Sequence, residues 1–267
     1  MRSWRIMLIV VVGSLAMLTV GCDRIAGKVK APASPADEMA RQAELLLGEG
    51  KKQEAKAAYQ QIIAEYPDYK NIEMVQEALY RLNMDIIFSN MQTPQTVMHE
   101  VLAGDTLGKI SKKYGVTMEL IKICNGMKTD TVRLGQKLRI WTGKFTLHAD
   151  KSQNILMLKS GDEIMKIYHV STGANNSTPA GTFKIATKLE NPVWFKDTGA
   201  VIPPESPQNV LGSRWMGFDN KGYGIHGTVD PDKIGQQVTA GCIRMRNEEV
   251  EELFKIIPLG TEVVIVD

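Results

Sequence analysis

Two side chains in the last third of the chain are of types that do nucleophilic chemistry. His226 stands in Tyr223-Gly224-Ile225-His226-Gly227-Thr228, and sixteen residues later Cys242 stands in Thr239-Ala240-Gly241-Cys242-Ile243-Arg244-Met245-Arg246-Asn247. A free thiol has a pKa of about 8.5, so only ~3% is thiolate at neutral pH, and a neighbouring imidazole is the usual means of raising that fraction. Held together, the two can attack an acyl carbon. Gly241 removes a side chain where a substrate must come close, and the amide N–H groups around Gly241 and Cys242 are candidates to hold a developing oxyanion. One cysteine and one histidine alone do not name a reaction.

The other reactive residue types read as structure. His99, His148 and His169 fall in predicted strands or at strand edges with no partner motif, and no metal-ligand spacing occurs, so no metal or other cofactor is expected. Tyr223 reads as a packed strand tyrosine. Asn247 and the run Glu248, Glu249, Glu251, Glu252 read as the cap and wet face of a C-terminal helix reaching Ile257. Cys124 shares an apolar helix face with Leu120 and Ile121 and reads as a small buried hydrophobe.

The elements that must position Cys242 and His226 are mainly strands. Phe145 to Ala149 alternates apolar and polar residues, and Ile155–Leu158 with Ile164–Val170 forms a hairpin around Ser160-Gly161-Asp162-Glu163. Further strands are expected at Gly181–Ile185 and Val263–Val266, giving a mainly β domain over residues 145–267. The long Pro-rich stretch Asn191 to Met216 reads as a lid over the acyl site.

Five ordered blocks in this domain match a known pattern. They are Thr178-Pro179-Ala180-Gly181-Thr182-Phe183, Asn191-Pro192-Val193-Trp194, Asn209-Val210-Leu211-Gly212-Ser213-Arg214-Trp215, Gly224-Ile225-His226-Gly227-Thr228 and Gly241-Cys242-Ile243-Arg244-Met245. Over its full length the domain resembles a YkuD-type L,D-transpeptidase catalytic domain. The resemblance implies that Cys242 is the nucleophile, His226 its base, and the Gly227 carbonyl the group that orients the imidazole. It also implies that Arg244 organises the pocket and pairs with a substrate carboxylate. The implied reaction cuts a peptidoglycan stem between its third, L-centred residue and D-Ala, then passes the acyl group to an amine. That amine belongs to a second stem, giving a 3-3 crosslink, or to a protein lysine. Where this family often has Ser and a bulkier residue before Gly-Cys, the chain has Thr239 and Ala240, a departure that bears on substrate preference.

Residues 97–142 read strand, helix, helix, strand. Val97–Ala103 is the first strand, Gly104-Asp105-Thr106 a capping turn, Leu107–Tyr114 a short helix stopped by Gly115, and Thr117–Ile123 a second helix ended by Asn125-Gly126. Through Val101-Leu102-Ala103-Gly104-Asp105-Thr106-Leu107, Ile110 to Val116, Asn125-Gly126 and Leu134-Gly135-Gln136-Lys137-Leu138, this stretch resembles a LysM domain. The resemblance implies binding of N-acetylglucosamine-containing glycan between the Gly104, Asp105, Thr106, Leu107 turn and the Met118–Asn125 region.

The preceding segment, residues 37–92, is helical. Gly50, Ala55, Tyr59, Ile62 and Pro67 carry a likeness to half a tetratricopeptide (TPR) unit, with Ile72, Val75, Leu79, Leu82 and Ile86 as the stripe of a third helix. A single unit buries little area, so it is expected to pack on a neighbour or hold a partner protein, and a structural spacer is the simpler reading. Residues 22–36, with Pro32 and Pro35, read as a tether. Before them, Arg2 and Arg5 precede an apolar run, Ile6 to Val20, too short for the roughly 20 residues of a membrane span. Residues 1–21 therefore read as a signal peptide, with an N-terminal signal-anchor helix and a bystander cysteine as the alternative, and Leu18-Thr19-Val20-Gly21-Cys22 resembles a bacterial lipobox, implying lipidation at Cys22.

The 267 residues are 43% hydrophobic and 23% charged, an ordinary globular composition that excludes collagen-like, disordered and multi-span membrane classes. Lys and Arg number 32 against 30 acids, with no long basic tract, so nucleic acid is not an expected partner. Removing the signal takes Arg2 and Arg5 and leaves 30 charges of each sign. The expectation is a cell-envelope lipoprotein of three folded parts that binds peptidoglycan and transfers acyl groups on it. Its alternatives are an L,D-carboxypeptidase or hydrolase using water, and a LysM scaffold with an idle Cys-His site.

Overall fold

The computed structural model describes residues 34–196 and 198–267, so the signal peptide and Cys22 lie outside the described residues. Three helices come first, α1 (Pro35–Gly48), α2 (Lys52–Glu65) and α3 (Ile72–Phe88). Helix α1 begins at Pro35, so residues 34–36 belong to the helix and its cap, not to a tether. The reason is local. Ser34 Oγ accepts the Asp37 N–H at 3.1 Å, Asp37 Oδ2 accepts the Ser34 N–H at 2.9 Å, and Pro35 suits a first helical position that needs no N–H. Ala43, Ala55, Tyr59, Ile62, Val75, Leu79 and Leu82 bury one another where the helices cross.

The next part comprises β1 (Thr96–Glu100), α4 (Leu107–Tyr114), α5 (Met118–Cys124) and β2 (Lys137–Trp141), with β1 antiparallel to β2. Thr106 and Thr117 cap the two helices through their hydroxyls, and Gly115 closes α4 at φ 65°, a conformation glycine adopts without strain. The first strand stops at Glu100, short of Ala103, because Asp105 Oδ2 takes the Leu102 N–H at 2.9 Å and turns the chain.

The remaining residues form β3 (Phe145–Asp150), β4 (Ile155–Ser160), β5 (Glu163–His169), β6 (Thr172–Gly173), β7 (Gly181–Glu190), β8 (Trp194–Phe195), β9 (Val201–Ile202), β10 (Arg214–Phe218), β11 (Gly224–His226), β12 (Gln237–Thr239), β13 (Ile243–Arg244), α6 (Asn247–Ile256) and β14 (Glu262–Val266). Eight of these strands make one mixed sheet in the order β13-β11-β10-β7-β14-β3-β4-β5, while β6 pairs with β12 and β8 with β9. Alternation along β3 buries Phe145, Leu147 and Ala149, and β14 buries Val263 and Ile265 beside them. Helix α6 covers β10 and β11 with Val250, Leu253 and Phe254.

The second and third parts share one core that takes in Met84 and Ile87 of α3, while the rest of the helical unit keeps a core of its own. Helix α3 lies against edge strand β5, where Asn83 Nδ2 donates to the Met165 carbonyl at 3.1 Å and Lys56 pairs with Glu163 at 2.7 Å. Arg139 of β2, only 2% exposed, donates from Nε to the Met91 carbonyl at 2.7 Å and from its terminal nitrogens to the Ile87 and Ile86 carbonyls at 3.0 and 3.1 Å. A buried guanidinium thus joins Ser89 and Cys124 in serving the carbonyls at the end of α3, where the helix dipole also favours a cation. Helix α5 packs against both α3 and α6, and Thr117 Oγ1 bonds the Lys255 carbonyl. The helical unit is therefore docked on its neighbours, as its small core requires.

Candidate active site

Strands β11 and β13 run parallel, with Ile225 beside Ile243 and His226 beside Arg244. A parallel pair needs a crossover of a dozen or more residues, which is what the segment between His226 and Cys242 supplies. In this register Cys242, one residue before β13, falls beside Gly224. Side chains alternate along strands, so Gly224, His226, Cys242 and Arg244 belong to one face. A Cβ at Gly224 would lie 2.6 Å from the Met216 carbonyl oxygen and 2.9 Å from Trp215 Cζ2. Glycine there lets the Trp215 ring lie across the strand and stack on His226, with centroids 6.0 Å apart and planes 21° from parallel.

His226 is 3% exposed, and its Nδ1 lies 2.6 Å from the Gly227 carbonyl. A carbonyl only accepts, so the neutral ring carries its proton on Nδ1 and leaves the Nε2 lone pair free as a base. Burial holds the imidazole down to about 4, with the Gly227 carbonyl opposing and the Arg244 charge assisting. Burial also pushes the Cys242 thiol above its ordinary value, against the backbone of Gly224 and the Arg244 charge. At neutral pH the resting pair is thus a thiol and a neutral imidazole, not a thiolate and an imidazolium.

The turn that presents the nucleophile is tied by Thr239, whose Oγ1 donates to the Cys242 carbonyl at 2.6 Å and accepts the Gly241 N–H at 3.2 Å. The hydroxyl retained at position 239 therefore has a structural task, and one of the two amides expected to meet an oxyanion is already engaged. Gly241 has φ 129°, and a Cβ on it would sit 2.6 Å from Tyr223 Cε1, so the space it vacates is filled by the Tyr223 ring. The glycine serves turn geometry and packing, where the sequence had pointed to room for substrate. Arg244 is half-buried and its Nε is buried without a hydrogen-bond partner. Among the described residues no carboxylate pairs with it.

The expected lid divides in two. Arg214–Phe218 forms β10 inside the central sheet, so the segment outside it ends earlier than Met216. Within that segment β8 and β9 make a hairpin, and the buried Asn209 donates to the Pro192 carbonyl at 2.8 Å while accepting the Leu211 N–H at 3.0 Å.

In residues 96–141, Gly104 and Thr106 are exposed, with Thr106 Oγ1 capping α4 through the Lys109 N–H at 3.2 Å. Leu107 is buried, main chain included, so of the expected glycan-binding residues it offers no surface to a ligand. Asn125 spends its amide internally, donating to the Ile121 and Arg139 carbonyls at 2.8 Å and accepting the Arg139 N–H at 2.7 Å. Asp105 accepts from Leu102 and lies 3.1 Å from His99 Nε2, whose Nδ1 is 3.1 Å from Tyr114 Oη. His99 thus has partners that its sequence neighbours did not disclose. Cys124 is buried as expected, its Sγ 3.0 Å from Arg139 Nη1. Among the described residues no group of three or more His, Cys, Asp or Glu is placed to hold a metal ion.

Asn247 is not the cap the sequence suggested: Arg246 holds the N-cap position of α6 without a side-chain cap bond, and Asn247 is the first helical residue. Its Oδ1 accepts the Ser213 and Thr228 N–H groups at 3.2 and 3.0 Å, and its Nδ2 donates to the Thr228 carbonyl at 2.8 Å, beside the histidine.

Residues 144–265 match the YkuD L,D-transpeptidase catalytic domain family, and residues 99–141 match the LysM domain family. YqjB of Bacillus subtilis, assigned by name to the L,D-transpeptidases, is 44% identical over 124 residues, 44% of this chain and 69% of that protein. YkuD of Bacillus licheniformis, likewise assigned by name, is 30% identical over 177 residues, 63% of this chain and 98% of that protein. Among solved structures, an L,D-transpeptidase from Mycobacterium smegmatis aligns at TM-score 0.40 and 18% identity, covering 50% of this chain and 64% of that one. On the sequence relationships, the chain belongs to the YkuD-type L,D-transpeptidase family and carries a LysM domain ahead of the catalytic domain.

Proposed function

We propose that this enzyme transfers acyl groups between peptidoglycan stem peptides through a Cys242 thioester. The observation that carries the reading is His226 Nδ1 held 2.6 Å from the Gly227 carbonyl, with the ring on the same face as Cys242. In the proposed course, His226 Nε2 takes the Cys242 proton as Sγ bonds the carbonyl carbon preceding D-Ala. The C–N bond then breaks, and His226 returns the proton to the departing D-Ala amine. An acceptor amine attacks the thioester, gives its proton to His226, and Cys242 leaves as the thiol. In this reading Arg244 pairs with a stem carboxylate, supported by a buried Nε that has no hydrogen-bond partner. The acceptor is a second stem or a protein lysine.

Purified protein incubated with disaccharide-tetrapeptides is expected to release D-Ala and form 3-3 dimers. Tripeptides without dimers would instead assign a carboxypeptidase, and Cys242→Ala protein with wild-type D-Ala release would overturn the cysteine course altogether.

In this reading the LysM domain holds glycan strands at the exposed Gly104–Thr106 turn, and lipidation of Cys22 anchors the protein in the cell envelope. A groove of about 690 Å³ between α1 and α3 supports a protein partner for the helical unit, with Leu47, Tyr59 and Val75 among its apolar lining and Glu44, Glu77 and Arg81 among its charged lining. Among the described residues no helix is long and apolar enough to cross a membrane.

A further inference from the structure

We propose that Asn247 is a positioning residue for the histidine base, acting through one peptide plane; the inference rests on His226 serving Cys242 as proposed above. The Gly227 carbonyl that fixes His226 Nδ1 at 2.6 Å and the Thr228 N–H that Asn247 Oδ1 accepts at 3.0 Å belong to the same peptide unit. That unit is planar and trans, with its C=O and N–H pointing in opposite directions. Holding the N–H therefore aims the carbonyl. Asn247 Nδ2 donates to the Thr228 carbonyl at 2.8 Å, which fixes the following peptide as well, and Oδ1 also takes the Ser213 N–H at 3.2 Å.

The backbone is shaped around this amide. A Cβ on Gly227 would lie 2.1 Å from Asn247 Oδ1, and a Cβ on Gly212 would lie 2.3 Å from the same atom. Both positions must lack a side chain for the amide to enter its slot. Asn247 itself is the first residue of α6, whose buried Val250, Leu253 and Phe254 fasten the helix to the sheet that carries His226. The base is thus oriented from the rigid helix, through a side-chain amide and one peptide plane, to Nδ1. Without Asn247 the Gly227–Thr228 peptide is free to tilt, the proton is no longer confined to Nδ1, and molecules protonated on Nε2 cannot accept from the thiol.

The test uses the full chain with 15N-labelled histidine. In wild type and in Cys242→Ala, His226 is expected to show the two separate 15N shifts of an Nδ1-protonated ring at neutral pH. In Asn247→Ala those shifts should move toward one another, and kcat for D-Ala release should fall on the order of 10-fold to 100-fold, with KM within about twofold. Asn247→Asp keeps an oxygen for the Ser213 and Thr228 N–H groups but turns an acceptor toward the Thr228 carbonyl, so it should recover the Nδ1-protonated signature only in part. Should Asn247→Ala not fold, Asn247→Ser, polar but too short to reach the Thr228 N–H, makes the same comparison. A folded Ala or Ser variant with the wild-type 15N signature and kcat overturns the proposal. The spectroscopic arm needs no turnover, so an ordered but inactive wild-type protein would count against the transpeptidase reading and not against Asn247.

Discussion

His226 is neutral in the folded chain, and this makes stability depend on pH in a window that can be calculated. Its basicity falls from the ordinary 6.5 to about 4 on folding, chiefly by burial. Between those values the unfolded chain holds the proton and the folded chain does not, so stability is lost as pH falls through the window and the loss saturates below about 4. The full difference corresponds to about 3 kcal/mol, and about 2 kcal/mol of it should have disappeared between pH 7 and pH 5. Other groups titrate in the same range. Burial depresses His148, which acts in the same direction, whereas burial raises Glu249, whose contribution grows as pH falls. Both are common to wild type and His226→Gln, so the difference between the two proteins isolates His226. Urea unfolding at pH 7 and pH 5 should show wild type losing about 2 kcal/mol more than the variant. Equal losses in the two proteins would refute a neutral, buried resting histidine.

Other consequences follow from the same geometry. The acid limb of kcat/KM should lie nearer 4 than 6.5, because Nε2 stays unprotonated until then; a limb at 6.5 would mean a solvated imidazole. Arg139→Met should destabilise the protein by at least ~2 kcal/mol and expose the junction after α3 to protease, since several carbonyls lose a charged donor; equilibrium unfolding and limited proteolysis test this. Iodoacetamide should label Cys242 in the native state and Cys124 only after denaturation, as read by peptide mapping, because Cys124 is 2% exposed. Lys188→Met should cost about 1–3 kcal/mol in thermal or urea unfolding, because the Lys188 ammonium serves the Phe254 and Ile257 carbonyls at 2.6 and 2.7 Å.

Much of this arrangement is legible in the sequence, for identifiable reasons. Alternation in Phe145–Ala149 exposed a half-buried strand, and the sixteen-residue interval between His226 and Cys242 fits a parallel crossover. Strands β6, β8, β9 and β12, at two or three residues each, are too short for periodicity to reveal. Arg139 gave no sign of burial, because the carbonyls that hold it arrive from a helix some fifty residues earlier. Asn247 looked like an ordinary helix cap since its neighbours in sequence are glutamates, and its partners Ser213 and Thr228 reach it only through the tertiary fold. Gly241 was recognised as a required glycine, but the ring that requires it, Tyr223, lies on another segment.

The central claim, acyl transfer through Cys242, is tested most directly by intact mass of the protein quenched during turnover of a tetrapeptide stem. The account predicts an adduct equal to the donor less D-Ala, mapped to Cys242, lost when an acceptor amine is added and absent from Cys242→Ala. Continued D-Ala release by Cys242→Ala at the wild-type rate would contradict it.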